Sequence, residues 1–185
     1  MSLLSARVFN SGTLSPEFDH VLLWVECDGP WIADVGFGDS SLNPLRGEPG
    51  VDDDRDGEDF RVTAAGDAWT VERRRAGGWE PQYVFTRTPH RLEEFGDRCL
   101  FQQTSPDSHF TRNTVCSRAI TAGRITLSGN KLILTFKDGR QEDEVGSAEE
   151  YRSILATMFG IRLAKRDAEC LSERVLDPAR LGPLK

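Results

Sequence analysis

The chain has 185 residues, a formal net charge of −7 and 29% charged residues, with a pI near 5.0 and a mean hydropathy of −0.45. That balance argues against nucleic acid or anionic membrane as a partner, because phosphate-rich surfaces need a basic face. The length suits one domain or two small ones, and 38% apolar content is lean for a self-sufficient globule.

In chain order, Leu3–Phe9 reads as a strand, followed by the turn-rich Asn10-Ser11-Gly12 and Leu14-Ser15-Pro16-Glu17. Apolar, β-branched and aromatic residues fill His20–Cys27 and Trp31–Phe37, and Asp28-Gly29-Pro30 between them supplies turn chemistry, which predicts a hairpin. Such a hairpin brings His20 level with Asp34–Gly36, so their side chains meet if both face one side. An Asp inside Trp31-Ile32-Ala33-Asp34-Val35-Gly36-Phe37 is expected to be buried and then needs a partner. His20 is the nearest candidate, and an imidazole held by a carboxylate at one nitrogen is free to act as a base at the other. On spacing alone, a satisfied surface or core histidine is the commoner case. Gly36-Phe37-Gly38 reads either as a bulge with a core Phe or as backbone that approaches a ligand closely beneath the ring.

Ser40–Asp59 is a long polar stretch with an acidic run over residues 52–59, expected to be a solvated loop without function. Phe60–Thr63, Ala68–Arg75 and Gln82–Phe85 then alternate as strands and, with the first three, suggest a small antiparallel sheet or barrel. Thr88–Phe95 is expected to open a short helix, with Pro89 early and acids in the first turns. Thr104–Phe110 is a turn by composition. Thr114–Ile120, Arg124–Ser128 and Lys131–Lys137 form a second antiparallel set, with Gly129-Asn130 and Asp138-Gly139 as hairpin turns. Ser147 and Glu150 make a capping box for a helix whose Tyr151, Ile154, Leu155, Met158 and Phe159 share one face, with Gly160 as its stop. The tail holds one more short helix around Ala168–Val175 and frays at Pro178 and Pro183.

Asp19-His20-Val21-Leu22-Leu23-Trp24-Val25, followed by Ile32-Ala33-Asp34-Val35-Gly36-Phe37-Gly38-Asp39, resembles the His strand and the Asp-Val-Gly-Phe-Gly strand of arylamine N-acetyltransferases. Those are acetyl-CoA-dependent enzymes with a Cys–His–Asp triad. Leu3–Val8, Gln103–Phe110 and Met158–Ile161 resemble further segments of that family, so the likeness spans nearly the whole chain. It implies His20 as base, Asp34 as its orienting carboxylate, and Phe37 lining the acceptor pocket. It also implies a coenzyme A cleft bordered by Gly36, Gly38, Thr104, Ser105 and Phe110. Asp107 and His109 depart from the small hydroxyl residues of the family's pattern.

A larger departure is that the family's nucleophile lies in an Arg-x-Gly-Gly-x-Cys motif within a helical N-terminal domain, and no such motif occurs here. Met1 falls at the entry to the family's second domain, so the chain is expected to be a C-terminal portion, inactive alone. Of its four cysteines, Cys27 lies seven residues from His20, about 23 Å along an extended strand. Cys99, Cys116 and Cys170 lack a pattern that lowers a thiol pKa. No Cys-x-x-Cys or histidine spacing suggests a metal. Without a signal peptide, spanning segment or lipidation motif, the expected compartment is the cytoplasm.

The fold class expected is therefore α+β: a small antiparallel β-barrel or sheet lobe carrying the His/Asp half-site over residues 1–88, a helical connection and cleft loop over 89–111, and a sheet-plus-helix lid over 112–185. The expected reaction moves acetyl from acetyl-CoA to an aryl amine or hydrazine through a Cys–His–Asp triad of which this chain supplies only His20 and Asp34. The alternatives are one half of a split enzyme, its helical domain supplied in trans, or a non-catalytic binding module that self-associates through an exposed apolar patch.

Overall fold

The computed structural model describes residues 1–10, 12–38, 41–53, 59–121, 123–136 and 138–176. Its chain divides into two compact units, Met1–Phe101 and Gln102–Lys185.

The first unit is built from nine antiparallel strands: β1 (Ser2–Asn10), β2 (Thr13–Leu14), β3 (His20–Glu26), β4 (Pro30–Ala33), β5 (Leu45–Arg46), β6 (Asp52–Asp53), β7 (Phe60–Ala65), β8 (Ala68–Arg75) and β9 (Gly78–His90). They are ordered β5-β4-β3-β1-β9-β8-β7-β6, with β2 paired to β1. Alternation sends Leu22 and Trp24 of β3, Phe60 and Val62 of β7, and Tyr83 and Phe85 of β9 into one core. The sheet curls into a nearly closed barrel: β5 approaches β7, and the Gly50 N–H donates to the Val62 carbonyl at 2.8 Å.

The predicted hairpin is present, with its turn one residue earlier. Glu26 pairs with Pro30, and the Cys27 N–H closes onto the Gly29 carbonyl at 2.9 Å. The second strand is shorter than its apolar run implies, because the chain leaves the ladder at Asp34. Thr88–His90, expected to open a helix, instead extends β9: Pro89 pairs with Leu4 and His90 with Leu3, beside a register shift in β1. Proline lacks an N–H, which is tolerated where a ladder is interrupted. Helical structure begins only at Leu92–Phe95, a 3₁₀ turn, and continues as α1 (Gly96–Thr104). The polar stretch after residue 40 hides one core residue, the buried Leu45. The acidic run opens as β6, paired to Phe60 and Arg61, and residues 54–58 of it lie outside the described residues.

In the second unit, α2 (His109–Arg112) precedes a four-stranded meander of β10 (Val115–Ile120), β11 (Gly123–Ser128), β12 (Lys131–Phe136) and β13 (Gly139–Glu144), followed by α3 (Ala148–Met158) and α4 (Lys165–Val175). Leu127 and Leu132 of the sheet bury against Tyr151, Ile154 and Leu155 of α3 and Val175 of α4. Strand β13 was invisible to periodicity because all six of its residues are exposed. Lys131–Glu142 at 3.5 Å is one of the charge pairs along it, and a charged edge discourages further pairing.

The start of α3 keeps half of its expected box. Ser147 Oγ accepts the Glu150 N–H at 3.2 Å, while the Glu150 carboxylate reaches past Ser147 to the Gly146 N–H at 2.9 Å. Gly160, at φ 72°, turns the chain so that the Ile161 N–H returns to the Leu155 carbonyl at 2.9 Å. The last helix begins three residues earlier than expected, at Lys165. Pro178 and Pro183 lie outside the described residues.

Gly47 is the tightest side-chain constraint on barrel closure. A Cβ there would stand 2.7 Å from Trp24 Cη2 and 3.1 Å from Pro30 Cβ, and Trp24 is itself a buried core residue. Gly47→Ala is therefore expected to overpack the core and lower stability by about 1–3 kcal/mol, measured by urea denaturation. An unchanged midpoint would mean that the Trp24 ring is not fixed there.

Candidate active site

The parity of two neighbouring strands makes the site. His20, Leu22 and Trp24 alternate onto the inner face of β3, and Ile32 and Asp34 lie on the same face at and just beyond the end of β4. His20 Nε2 and Asp34 Oδ2 meet at 2.8 Å, with the imidazole 10% and the carboxylate 3% exposed. The other carboxylate oxygen, Oδ1, accepts the backbone N–H groups of Gly36 at 3.1 Å and Phe37 at 3.0 Å. Asp34 thus folds the chain after β4 into an Asx-type turn while holding His20. His20 Nδ1 has no hydrogen-bond partner among the described residues.

Two aromatic rings pack around the imidazole. Phe37 stands edge-on to His20 at 5.4 Å between centroids, Tyr83 lies 5.3 Å from His20, and Phe37 and Tyr83 are 5.3 Å apart. Tyr83 reaches His20 across strand β1. Ala6 pairs with His20 on one side and Phe85 on the other, while Val8 pairs with Tyr83. Strands two apart in a sheet are separated by about 10 Å, so two rings can meet over the middle strand only where its own side chain is small. Ala6, fully buried, leaves that room.

Burial pushes the Asp34 carboxyl up, but the hydrogen bond and charge of His20, the Phe37 N–H and the nearby Tyr83 hydroxyl outweigh it, so its pKa lies below the ordinary 3.8. Burial, then the neighbouring Asp34 charge, pushes the Tyr83 phenol well above its ordinary value. Tyr83 therefore stays protonated. It faces Asp34 closely enough to feel the carboxylate, yet among the described residues its buried Oη has no partner of proper hydrogen-bond geometry.

Of the remaining residues singled out by sequence, Gly36 lies against the imidazole: a Cβ there would sit 3.6 Å from His20 Cε1. A Cβ at Gly38 would meet no atom of the described residues within 4 Å. Thr104, Ser105 and Phe110 belong to the second unit. Thr104 ends α1, and the Ser105 carbonyl accepts the Ser108 N–H at 3.1 Å and the Thr111 hydroxyl at 2.6 Å. Buried Ser108 caps α2 through the Phe110 N–H at 3.2 Å and donates to Gln102 Oε1 at 2.5 Å. Phe110 is exposed. Tyr83 was missed by sequence reasoning, because Gln82-Tyr83-Val84-Phe85 reads only as an alternating strand.

The family model described as N-acetyltransferase matches residues 1–168. An arylamine N-acetyltransferase of Mycolicibacterium smegmatis is 30% identical over 154 residues, covering 81% of this chain and 56% of that protein. The chain thus spans little more than half the length of that relative. An X-ray structure of a Mycobacterium smegmatis arylamine N-acetyltransferase superposes with a TM-score of 0.84 at 29% identity, over 95% of this chain and 68% of its own. The Mycobacterium marinum arylamine N-acetyltransferase, solved in complex with CoA, superposes with a TM-score of 0.84 at 24% identity, over 94% and 67%.

Two outcomes follow from the geometry. The lowered Asp34 pKa contributes stability that is fully present above the ordinary value of 3.8 and is lost as pH falls through the lower folded value, because the unfolded chain takes up its proton first. Asp34→Asn should remove that share of the acid dependence, so stability measured by denaturation from pH 5 to pH 2 should fall less steeply in the variant. An unaltered slope would contradict the pairing. Tyr83→Phe keeps the ring and deletes a buried hydroxyl that makes no hydrogen bond of proper geometry among the described residues, so its stability, read from the thermal midpoint near neutral pH, should stay within about 1 kcal/mol of the parent's. A clear drop would show that the hydroxyl holds a partner.

Proposed function

The chain belongs to the N-acetyltransferase family, and on that premise we propose that it supplies the base and the orienting carboxylate of an acetyl transfer from acetyl-CoA to an aryl amine or hydrazine. The observation that carries this reading is the His20–Asp34 contact at 2.8 Å. It occupies Nε2 and leaves Nδ1 of a slightly exposed imidazole able to take a proton.

The chemistry is a ping-pong transfer. His20 Nδ1 takes the proton of a cysteine thiol, Asp34 stabilises the resulting imidazolium, and the thiolate attacks the acetyl thioester. The departing coenzyme A thiolate takes the proton back. In the second half, His20 accepts the amine proton as nitrogen attacks the acetyl-cysteine and the cysteine thiolate leaves. No Arg-x-Gly-Gly-x-Cys motif occurs in the 185 residues, so the proposed nucleophile is the cysteine of a helical domain outside them. Phe37, on His20, suits a wall of the aryl acceptor pocket. Gly36, Gly38, Thr104, Ser105 and Phe110 are the residues proposed to border the coenzyme A cleft. Residues 1–88, 89–111 and 112–185 are the proposed half-site, connection and lid. The cytoplasm is the proposed compartment, since its reducing poise keeps the thiol free.

Val35, between Asp34 and Gly36, is 98% exposed, and Leu92 is 67% exposed. Large apolar side chains so placed suit either the docking of that helical domain or, on the binding-module reading, self-association.

The deciding assay is acetyl transfer from acetyl-CoA to an aryl hydrazine by the purified 185-residue chain, with and without a helical N-terminal domain from a related enzyme. Activity is expected only on addition, and His20→Gln should lower it by about 10²–10⁴-fold. Activity of the chain alone would make one of its own cysteines the nucleophile. Inactivity under both conditions, with concentration-dependent self-association in sedimentation, would favour the binding module.

A further inference from the structure

His20 is the first residue of β3, so no earlier rung of that ladder holds it, yet its imidazole must arrive at Asp34 within hydrogen-bonding distance. The residues just before it are tied down unusually well. Phe18 sits at φ 64°, an outlier for a bulky side chain that persists only where the surroundings over-determine it. Its N–H donates to Ser5 Oγ at 2.8 Å, and its ring stands edge-on to His90 at 4.9 Å and to Phe95 at 5.3 Å.

Asp19 follows, immediately before His20. Its Oδ1 accepts from both Nε and Nη2 of Arg98, at 3.1 Å and 2.5 Å. The two side chains are only 12% and 20% exposed, and Arg98 is steadied by the Phe101 ring 4.3 Å from its Cζ. A two-nitrogen guanidinium grip restricts orientation as well as distance. Helix α1 therefore holds the backbone from which the imidazole departs, although Arg98 does not touch the imidazole.

We propose that Arg98, acting through Asp19, is a positioning residue for His20, fixing the loop so that the imidazole meets Asp34 and presents Nδ1. This rests on reading His20 as the base and deepens that reading by naming what aims it. Asp34 gives His20 its partner, and the Arg98–Asp19 pair gives it a fixed point of attachment. A pair that merely stabilised the helix would alter melting without altering the imidazole.

The test is nitrogen-15 and proton NMR of the histidine rings in the full 185-residue chain, comparing the parent with Arg98→Met and Arg98→Lys. In the parent, His20 should show one tautomer, protonated at Nε2, with a slowly exchanging proton. In Arg98→Met that proton should exchange roughly tenfold faster, the scale of one charge-assisted hydrogen bond, and the Nδ1–H tautomer should appear. Arg98→Lys keeps a cation but loses the two-nitrogen grip and should fall between. Parent-like His20 signals in folded Arg98→Met overturn the proposal, and if that variant does not fold, parent-like signals in Arg98→Lys do so. With the helical domain added, Arg98→Lys should lower kcat and leave KM for acetyl-CoA unchanged. Absence of transfer by the parent would sink the acetyltransferase reading, whereas the ring signals test the role of Arg98 independently of any turnover.

Discussion

A carboxylate with 3% of its side chain exposed has to be hydrogen-bonded at both oxygens or give up its charge, and much of the first unit's geometry meets that demand at Asp34. One oxygen takes the imidazole of His20, the other takes two consecutive backbone N–H groups. The second set of bonds ends β4, because a side-chain acceptor competing for nearby N–H groups draws the chain out of the ladder. It also swings Phe37 back over His20 and Tyr83. Orientation of the imidazole, the end of the strand and the aromatic wall thus share a single cause. A neutral isostere at position 34 would keep the shape of the turn but not the charge that favours the imidazolium.

That arrangement needs space on a strand that contributes no chemistry. Ala6 on β1 pairs with His20 on one side and Phe85 on the other and is fully buried. A leucine there would fill the volume through which Tyr83 approaches the imidazole, and overpacked cores yield by moving side chains off their rotamers. The Tyr83 hydroxyl, buried without a proper partner, is the cost of seating a phenol where phenylalanine would pack as well. Its proximity to Asp34 helps hold that carboxyl ionised, which offsets part of the cost of burying the hydroxyl.

What could be read from sequence follows contact separation. His20 and Asp34 lie 14 residues apart on adjacent strands of one hairpin, so strand parity and a buried acid were enough to pair them. Arg98 and Asp19 lie 79 residues apart, and no local pattern joins a helix residue to a loop that precedes a strand. Tyr83 is of the same kind, since it reaches His20 only because β9 and β3 both flank β1. Among elements, α3 was legible from its cap and stripe, whereas β13 carries no apolar residue to alternate. The error at Thr88–His90 came from a proline that suits a helix start and also suits an interrupted ladder, and pairing with β1 decided between them.

The His20–Asp34 pair is complete without a thiol. Asp34 is satisfied, Nε2 is satisfied, and Nδ1, which has no partner among the described residues, belongs to a ring that retains some exposure, where water can serve it. The hydrogen bonds of the pair thus close on groups of the same unit, Met1–Phe101, which also holds the positive-φ Phe18 and the buried Tyr83 hydroxyl. On the proposed reading of His20 as base, an imidazole held in this way is preorganised, its orientation met during folding rather than on encounter with a reactant. The same logic locates the sensitive points away from the reacting atoms, in the loop that launches β3 and in the helix that grips it.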